Sequence, residues 1–119
     1  MLKYRNKGCV RRDEKHGLLT FDSMLEAAVF DVLRLEETLG EIELTSFQKT
    51  IYLTDARIQY RPDFEYKDLK NGLLTYVEAK GFETPSWRIK RKLWISYGPG
   101  KLIIYKGSHL RPKVHEILR

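Results

Sequence analysis

Residues 61–81, RPDFEYKDLKNGLLTYVEAKG, contain two runs of strand-forming residues joined by a polar segment. This segment, Lys67–Gly72, ends in Asn71-Gly72, a dipeptide that favours a tight turn between antiparallel strands. The second run, Leu73–Lys80, carries the aromatic and β-branched residues that strands prefer. The sequence therefore predicts a β-hairpin in which Leu73–Lys80 is the second strand.

Three chemically active side chains fall on this hairpin, namely Asp63, Glu78 and Lys80. Residues two apart in a strand point to the same face, so Glu78 and Lys80 project together. A turn centred between residues 70 and 71 would pair Asp63 with Glu78, whereas a turn centred at Asn71-Gly72 would place Asp63 opposite Lys80. In either register, two carboxylates and an ammonium group meet at one edge of the sheet.

This combination of groups is what metal-dependent cleavage of a phosphodiester requires. Carboxylates hold Mg²⁺, a water near the metal attacks, and a cation steadies the water or the charge that develops on phosphorus. We expect Asp63, Glu78 and the backbone carbonyl of Ala79 to bind Mg²⁺, which Mn²⁺ can replace. Lys80 would orient the water or neutralise the transition state. Each pair alone is ordinary in a charged chain, so the prediction depends on their combination in adjacent strands.

A first helix is predicted before the strands. Ser23 suits its N-cap, Glu26 lies three residues later, and Gly40 ends it. The apolar stripe that would face the core comprises Leu25, Ala28, Val29, Val32, Leu33 and Leu35. A second helix begins with Thr84 as N-cap and Pro85 as the first helical residue. Its body is Trp87–Ile95, and residues 98–100, Gly-Pro-Gly, end it.

The remaining strands are predicted from β-branched and aromatic content at Thr50–Thr54, Ala56–Tyr60 and Lys101–Tyr105. The tail is expected to hold a last helical turn after Pro112. The predicted fold is α/β, with the order helix, three strands, helix, strand. Residues 1–19 show no sustained period and are predicted to form a flexible basic arm, which leaves residues 20–119 as a single domain.

The hairpin motif resembles a known family. Arg61–Phe64 followed by Val77–Gly81 is similar to the PD-(D/E)XK nuclease superfamily, in the form found in phage junction-resolving enzymes of the endonuclease I type. The likeness extends to Phe21–Glu26 and to the second helix, and so covers about residues 20–106. The opening Lys3–Lys7, with Gly17 and residues 21–23, also resembles a group of short phage proteins in this superfamily.

This resemblance implies a restriction-endonuclease-like core, in which helices flank a mixed sheet. It also implies Mg²⁺-dependent hydrolysis that leaves 5′-phosphates, by a homodimer that cuts branched DNA such as the four-way Holliday junction. A phage protein of this kind would act in the cytoplasm of the bacterial host. By the same likeness, Glu26 would be a further catalytic and metal-binding group, although Ser23-x-x-Glu26 is also a capping box. The stretch from Gly40 to Tyr60 does not match closely, so the dimer interface is left open.

Positive charge is concentrated at the two ends of the chain, which carries a net charge of +6. A polyanion such as DNA could be attracted to both ends. Ile89 and Leu93 are expected to face the core, so about two of the four cations in the second helix should reach DNA. Trp87 and Trp94 are interpreted as packing residues. The candidate DNA-binding residues are Arg88, Lys90, Arg91 and Lys92 in this helix and Lys3, Arg5, Lys7, Arg11 and Arg12 in the arm.

Composition excludes other kinds of site and leaves two alternatives open. Cys9 is the only cysteine, which rules out an internal disulfide and a multi-cysteine zinc site. No apolar run is long enough to span a bilayer, so a soluble, non-secreted protein is expected. The same active centre would also serve a repair, transposon or restriction nuclease that acts on a nick, an end or a specific sequence. A non-catalytic DNA-binding module with this fold is the second alternative.

Overall fold

A computed structural model of the protein describes residues 9–119. The helices are α1, Met24–Thr38, and α2, Pro85–Tyr97. The strands are β1 Val10–Asp13, β2 Gly17–Thr20, β3 Ile42–Phe47, β4 Ile51–Tyr52, β5 Gln59–Tyr60, β6 Phe64–Asp68, β7 Leu74–Ala79, β8 Lys101–Lys106 and β9 Lys113–Leu118. None of the helices in these residues has the length and apolar character that crossing a membrane requires.

The main sheet has five strands in the order β3-β6-β7-β8-β9. Strands β7 and β8 are parallel and joined through α2, whereas the other neighbouring pairs are antiparallel. The prediction of an α/β fold with a mixed sheet and two helices is therefore confirmed. Separate two-stranded ladders are formed by β1 with β2 and by β4 with β5.

The predicted hairpin is formed by β6 and β7, and its register is now defined. Phe64 pairs with Val77, so one further step along the ladder brings Asp63 opposite Glu78. The turn is closed by a hydrogen bond from Gly72 N to Asp68 O of 2.8 Å, and Gly72 has φ +75°, which favours glycine. Of the two registers that the sequence allowed, the one centred between residues 70 and 71 is correct.

Both predicted helix starts are confirmed. The Ser23 side chain accepts a hydrogen bond from Glu26 N, and the Thr84 side chain accepts one from Trp87 N. Two details of the predicted apolar faces are wrong: Leu35 is 59% exposed in α1, and Ile89 is 60% exposed in α2. In α2 the two tryptophans fill the space against the sheet, which leaves Ile89 on the outer side of the helix.

The strands predicted at residues 50–60 are shorter than expected and pair with each other outside the main sheet. The outer strand of the main sheet is β3, at residues 42–47, and only short pieces of the predicted strands survive, as β4 and β5. Strand propensity marks residues that suit a sheet, but it does not say which sheet they join. The partner of β6 is the earlier strand because Leu44 and Ile42 bury against α1.

The two ends of the described chain also differ from the predictions. The tail after Pro112 is strand β9 and not a helical turn, since it pairs with β8 and thereby satisfies backbone groups at that edge. Residues 10–20 of the predicted flexible arm form the β1–β2 hairpin, with Cys9 buried in the core. The rest of the predicted arm, including Lys3, Arg5 and Lys7, lies outside the described residues.

The sheet has a hydrophobic cluster on each side. Helix α1 packs with Phe64, Tyr66 and Val77 on one side. Helix α2, through Trp87 and Trp94, packs with residues of β7, β8 and β9 on the other. Because side chains alternate along β7, Val77 faces α1 while its neighbour Glu78 faces the α2 side. The acidic residues of the hairpin therefore project toward α2.

Candidate active site

Asp63, Glu78 and Lys80 line one cleft beside α2. Its volume is about 390 Å³, and Trp87 and Lys90 of α2 are among its other lining residues. Asp63 lies one residue before β6 and Lys80 one residue after β7, so the hairpin register brings these groups together. Asp63 and Glu78 are only 7% and 6% exposed. These three side chains meet at one edge of the sheet, as the sequence predicts.

Asp63 is held by two hydrogen bonds to its carboxylate. Ala79 N donates to Oδ2 at 2.8 Å, and Gln48 Nε2 donates to Oδ1 at 3.0 Å. Gln48 also donates its backbone N–H to the carbonyl oxygen of Asp63 at 3.1 Å. The carboxylate is thus fixed both from its partner strand β7 and from the residue that follows β3.

Glu78 is held by a tyrosine and by Lys80. The Tyr60 hydroxyl donates to Glu78 Oε1 at 2.6 Å, and Lys80 Nζ lies 3.5 Å from Oε2. Lys80 Nζ also lies 4.9 Å from the centre of the Trp87 ring, a cation–π contact. The ammonium group is therefore placed between a carboxylate and an aromatic face at the wall of the cleft.

Glu26 reaches the same centre from the first turn of α1. Its carboxyl lines a smaller pocket of about 260 Å³ that Asp63 and Gln48 also border, and the charge of Asp63 is among the causes that raise its pKa. The Glu26 backbone N–H bonds the Ser23 cap, while its side chain lies beside Asp63 in this acidic cluster.

The carboxyls of this cluster have raised pKa values. Burial, followed by the charge of Asp63, raises the pKa of Glu26 to about 8, and the same two causes raise the pKa of Glu78 to about 8. Burial also raises the pKa of Asp63, and burial with the Glu78 charge raises that of Tyr60. Crowded, buried carboxylates of this kind are stabilised by an arriving cation, as they are at metal sites.

The donor set suits Mg²⁺. This ion takes hard oxygen ligands and is commonly held by one or two carboxylates, with waters completing its shell. Asp63 and Glu78 supply two such carboxylates on one cleft wall, and the carbonyl of Ala79 belongs to the residue between Glu78 and Lys80. Across residues 9–119, no group of three or more His, Cys, Asp or Glu side chains is arranged to hold a metal ion.

Comparison with known proteins adds no family to this geometry. No family model, curated protein or solved structure matches the chain. Support for a function of the cleft therefore comes from its own side chains, their distances and their burial.

The candidate DNA-binding residues are placed unequally around the cleft. Lys90 lines it, and Arg88 and Lys92 are exposed on α2. Arg91 is committed to Glu116 of β9, with Nε 2.9 Å from Oε1. Arg11 binds both carboxylate oxygens of Asp31 on α1, at 2.8 and 2.9 Å, and so fastens the β1–β2 hairpin to the helix. Arg12, also in β1, is exposed.

Sequence reasoning missed several residues of the cleft, among them Gln48, Tyr60 and Arg61. Gln48 lies just beyond β3, and no pattern in the sequence connects it with Asp63. Tyr60 carries only a strand signal in the sequence. Arg61 adjoins the Pro62-Asp63 pair, and its place in the motif could have been used to predict a cation beside the carboxylates.

Proposed function

We propose that the protein is a metal-dependent DNA endonuclease of the PD-(D/E)XK type. The observation that carries this proposal is the meeting of Asp63, Glu78 and Lys80 at one cleft, with both carboxylates buried. The sheet-and-helix order around the cleft, α1, then β3, β6 and β7, then α2 and β8, is what a restriction-endonuclease-like core would require. A buried carboxylate pair is costly to a fold, which favours a functional explanation over a structural one.

In this mechanism Asp63 and Glu78 would hold Mg²⁺. Glu26, in the neighbouring pocket that Asp63 also borders, would add a third carboxyl group close to the ion. The bound ion would lower the pKa of a water and withdraw charge from the phosphate. Lys80, steered by Glu78 and by the Trp87 ring, places its ammonium group where the attacking water or the developing phosphorane charge would lie.

DNA is the polyanion that best suits the surroundings of the cleft. Arg61 and Lys90 line it, and Arg88 and Lys92 are exposed elsewhere on α2. Such cations bind phosphates without regard to base sequence and position the backbone over a catalytic centre. The finer proposal, a homodimer that resolves branched DNA, is supported by the sequence resemblance. A homodimer would supply the two separate cleavage sites that are needed to cut a junction symmetrically.

A substrate panel tests this function. The purified protein is incubated with a four-way junction, a nicked duplex, a linear duplex and a single strand, each with Mg²⁺ or with a chelator. Paired nicks in the junction alone, with 5′-phosphate ends, support the resolvase proposal. Cutting of another substrate keeps the nuclease and changes its class. Tight DNA binding with no cleavage in Mg²⁺ or Mn²⁺ supports the non-catalytic binding module and overturns the proposal.

A further inference from the structure

Both metal-facing carboxylates receive a hydrogen bond from a residue that is not itself a candidate ligand. Gln48 donates to Asp63 Oδ1, and Tyr60 donates to Glu78 Oε1. A carboxylate oxygen has two lone-pair directions, so one such bond leaves the other direction available to a cation. Together with Ala79 N at Asp63 and Lys80 at Glu78, these donors restrict how each carboxylate can turn.

Gln48 is held in an unusual backbone conformation. Its φ of +56° lies in the left-handed region, which residues other than glycine seldom adopt. In that conformation its backbone N–H bonds the Asp63 carbonyl while its side chain bonds the Asp63 carboxylate. Strained residues of this kind persist where the surroundings demand them, and they cluster at functional sites. At Gln48 the left-handed conformation allows one residue to make two hydrogen bonds to Asp63.

Tyr60 is fixed just as firmly. It is 6% exposed, and its ring packs against Trp87 and Trp94 with ring centres 5.8 and 5.7 Å apart. Its hydroxyl therefore has little freedom to leave Glu78. Because the aromatic packing belongs to the ring and the carboxylate contact to the hydroxyl, the two roles can be separated by removing one oxygen atom.

We propose that Gln48 and Tyr60 are positioning residues, each of which orients one carboxylate so that Asp63 and Glu78 converge on a single divalent cation. This inference depends on the proposed function. Residues that orient metal ligands through hydrogen bonds commonly contribute about 10-fold to 100-fold to metal affinity. Both line the cleft, but neither carries a charge that would bind phosphate, so at saturating metal their loss should leave the KM for DNA unchanged.

Two variants and two matched controls test the inference. Gln48→Gly removes the side chain and relieves the left-handed backbone, and Arg57→Gly relieves the other left-handed non-glycine residue among the described residues, at φ +58°. Tyr60→Phe removes the hydroxyl below Glu78, and Tyr66→Phe removes one from an equally buried tyrosine on the α1 side. For each protein, Mn²⁺ binding is measured by calorimetry without DNA, along with the melting temperature and the KM for DNA.

The expected result separates positioning from folding. Gln48→Gly and Tyr60→Phe bind Mn²⁺ about 10-fold to 100-fold more weakly, with an unchanged KM for DNA, while both controls bind Mn²⁺ as the wild type does. Gln48→Gly should also melt no lower than the wild type, since glycine suits the backbone there. Wild-type Mn²⁺ affinity in both variants overturns the positioning role but leaves the nuclease intact. A wild-type protein that neither binds Mn²⁺ nor cleaves DNA overturns the proposed function and the inference together.

Discussion

Asp63 and Glu65 lie two residues apart on the α2 side of the sheet, and both are buried, yet their pKa values move in opposite directions. Burial alone would raise both. At Glu65, hydrogen bonds from Thr45, Lys49 and Ser46 outweigh burial and lower the pKa. At Asp63 burial outweighs the hydrogen bonds, and the neighbours include Glu26 and Glu78.

The difference shows how two neighbouring buried carboxylates can differ in whether the protein itself satisfies their charge. A bulge in β3 between Leu44 and Ser46 turns the Thr45 and Ser46 hydroxyls onto Glu65, at 2.7 and 3.0 Å from Oε1. Lys49 completes the set at 3.1 Å from Oε2. The Glu65 carboxylate is satisfied by the protein itself, whereas the cluster around Asp63 has an excess of negative charge that a metal ion would relieve.

The largest expected effect separates these two residues by activity. Asp63→Asn should slow DNA cleavage by about 10³-fold, because a metal ligand is lost and transition-state stabilisation falls by about 4 kcal/mol. Glu65→Gln should cut at close to the wild-type rate. Both are measured as single-turnover cleavage rates at saturating Mg²⁺. A slow Glu65→Gln protein that is fully folded would end the distinction between the two carboxylates.

The next effect is the pH dependence of the free energy of unfolding, which the acidic cluster sets when no metal is bound. The folded-state pKa values of Glu26 and Glu78, about 8, lie above their ordinary 4.5, so the folded protein holds protons that the unfolded chain releases between those values. These two groups stabilise the fold fully below their unfolded-state pKa of 4.5. This stabilisation is lost as the pH rises through their folded-state pKa of about 8. The free energy of unfolding should fall across this interval by up to about 1.4 kcal/mol per pH unit for each group.

Urea unfolding with a chelator, repeated across that pH interval, measures this slope. Glu26→Gln should flatten it, since the amide does not titrate. A wild-type protein whose stability rises with pH over the same interval would show that the cluster is not crowded with negative charge.

Stability gives the third contrast. Glu65→Gln should lower the free energy of unfolding by roughly 1–3 kcal/mol, because buried donors in β3 and the Lys49 ammonium lose a charged acceptor. Glu26→Gln at the pH where wild-type Glu26 is ionised should raise it. Chemical denaturation of both variants beside the wild type measures the two changes in the free energy of unfolding. Changes of the same sign would contradict the comparison.

The smallest effects are expected on the surface of α2. Arg88→Ala and Lys92→Ala should each reduce the dependence of log DNA affinity on log salt by about 0.9, as expected for one phosphate contact. Arg91→Ala should leave that slope unchanged, because Arg91 is already paired with Glu116. Fluorescence titrations at several salt concentrations provide the slopes. A loss of slope in Arg91→Ala alone would place the DNA on another face.

Local signals account for the features that could be predicted from the sequence. The caps at Ser23 and Thr84, the turn at Gly72 and the shared face of Glu78 and Lys80 all depend on neighbours within a few residues. Short-range patterns of this kind are sufficient to bring the two carboxylates and the ammonium group of the hairpin to one edge of the sheet.

The features that could not be predicted depend on partners far along the chain. Strands β3 and β9 differ from the sequence predictions because pairing at a sheet edge is decided by which backbone groups remain open. Gln48 and Tyr60 could not be assigned, since their contacts join residues 15 and 18 positions apart. Nothing in their own sequence surroundings marks them as partners of a carboxylate.

The most direct test of the central claim is the rate at which Glu78→Gln cleaves DNA beside the wild type, with Mg²⁺ and with a chelator. The wild type should cut only when Mg²⁺ is present, and the variant, folded and able to bind DNA, should cut about 10³-fold more slowly. If Glu78→Gln cuts as fast as the wild type, or if the wild type cuts equally well in chelator, Asp63 and Glu78 are not the metal-binding centre of a nuclease.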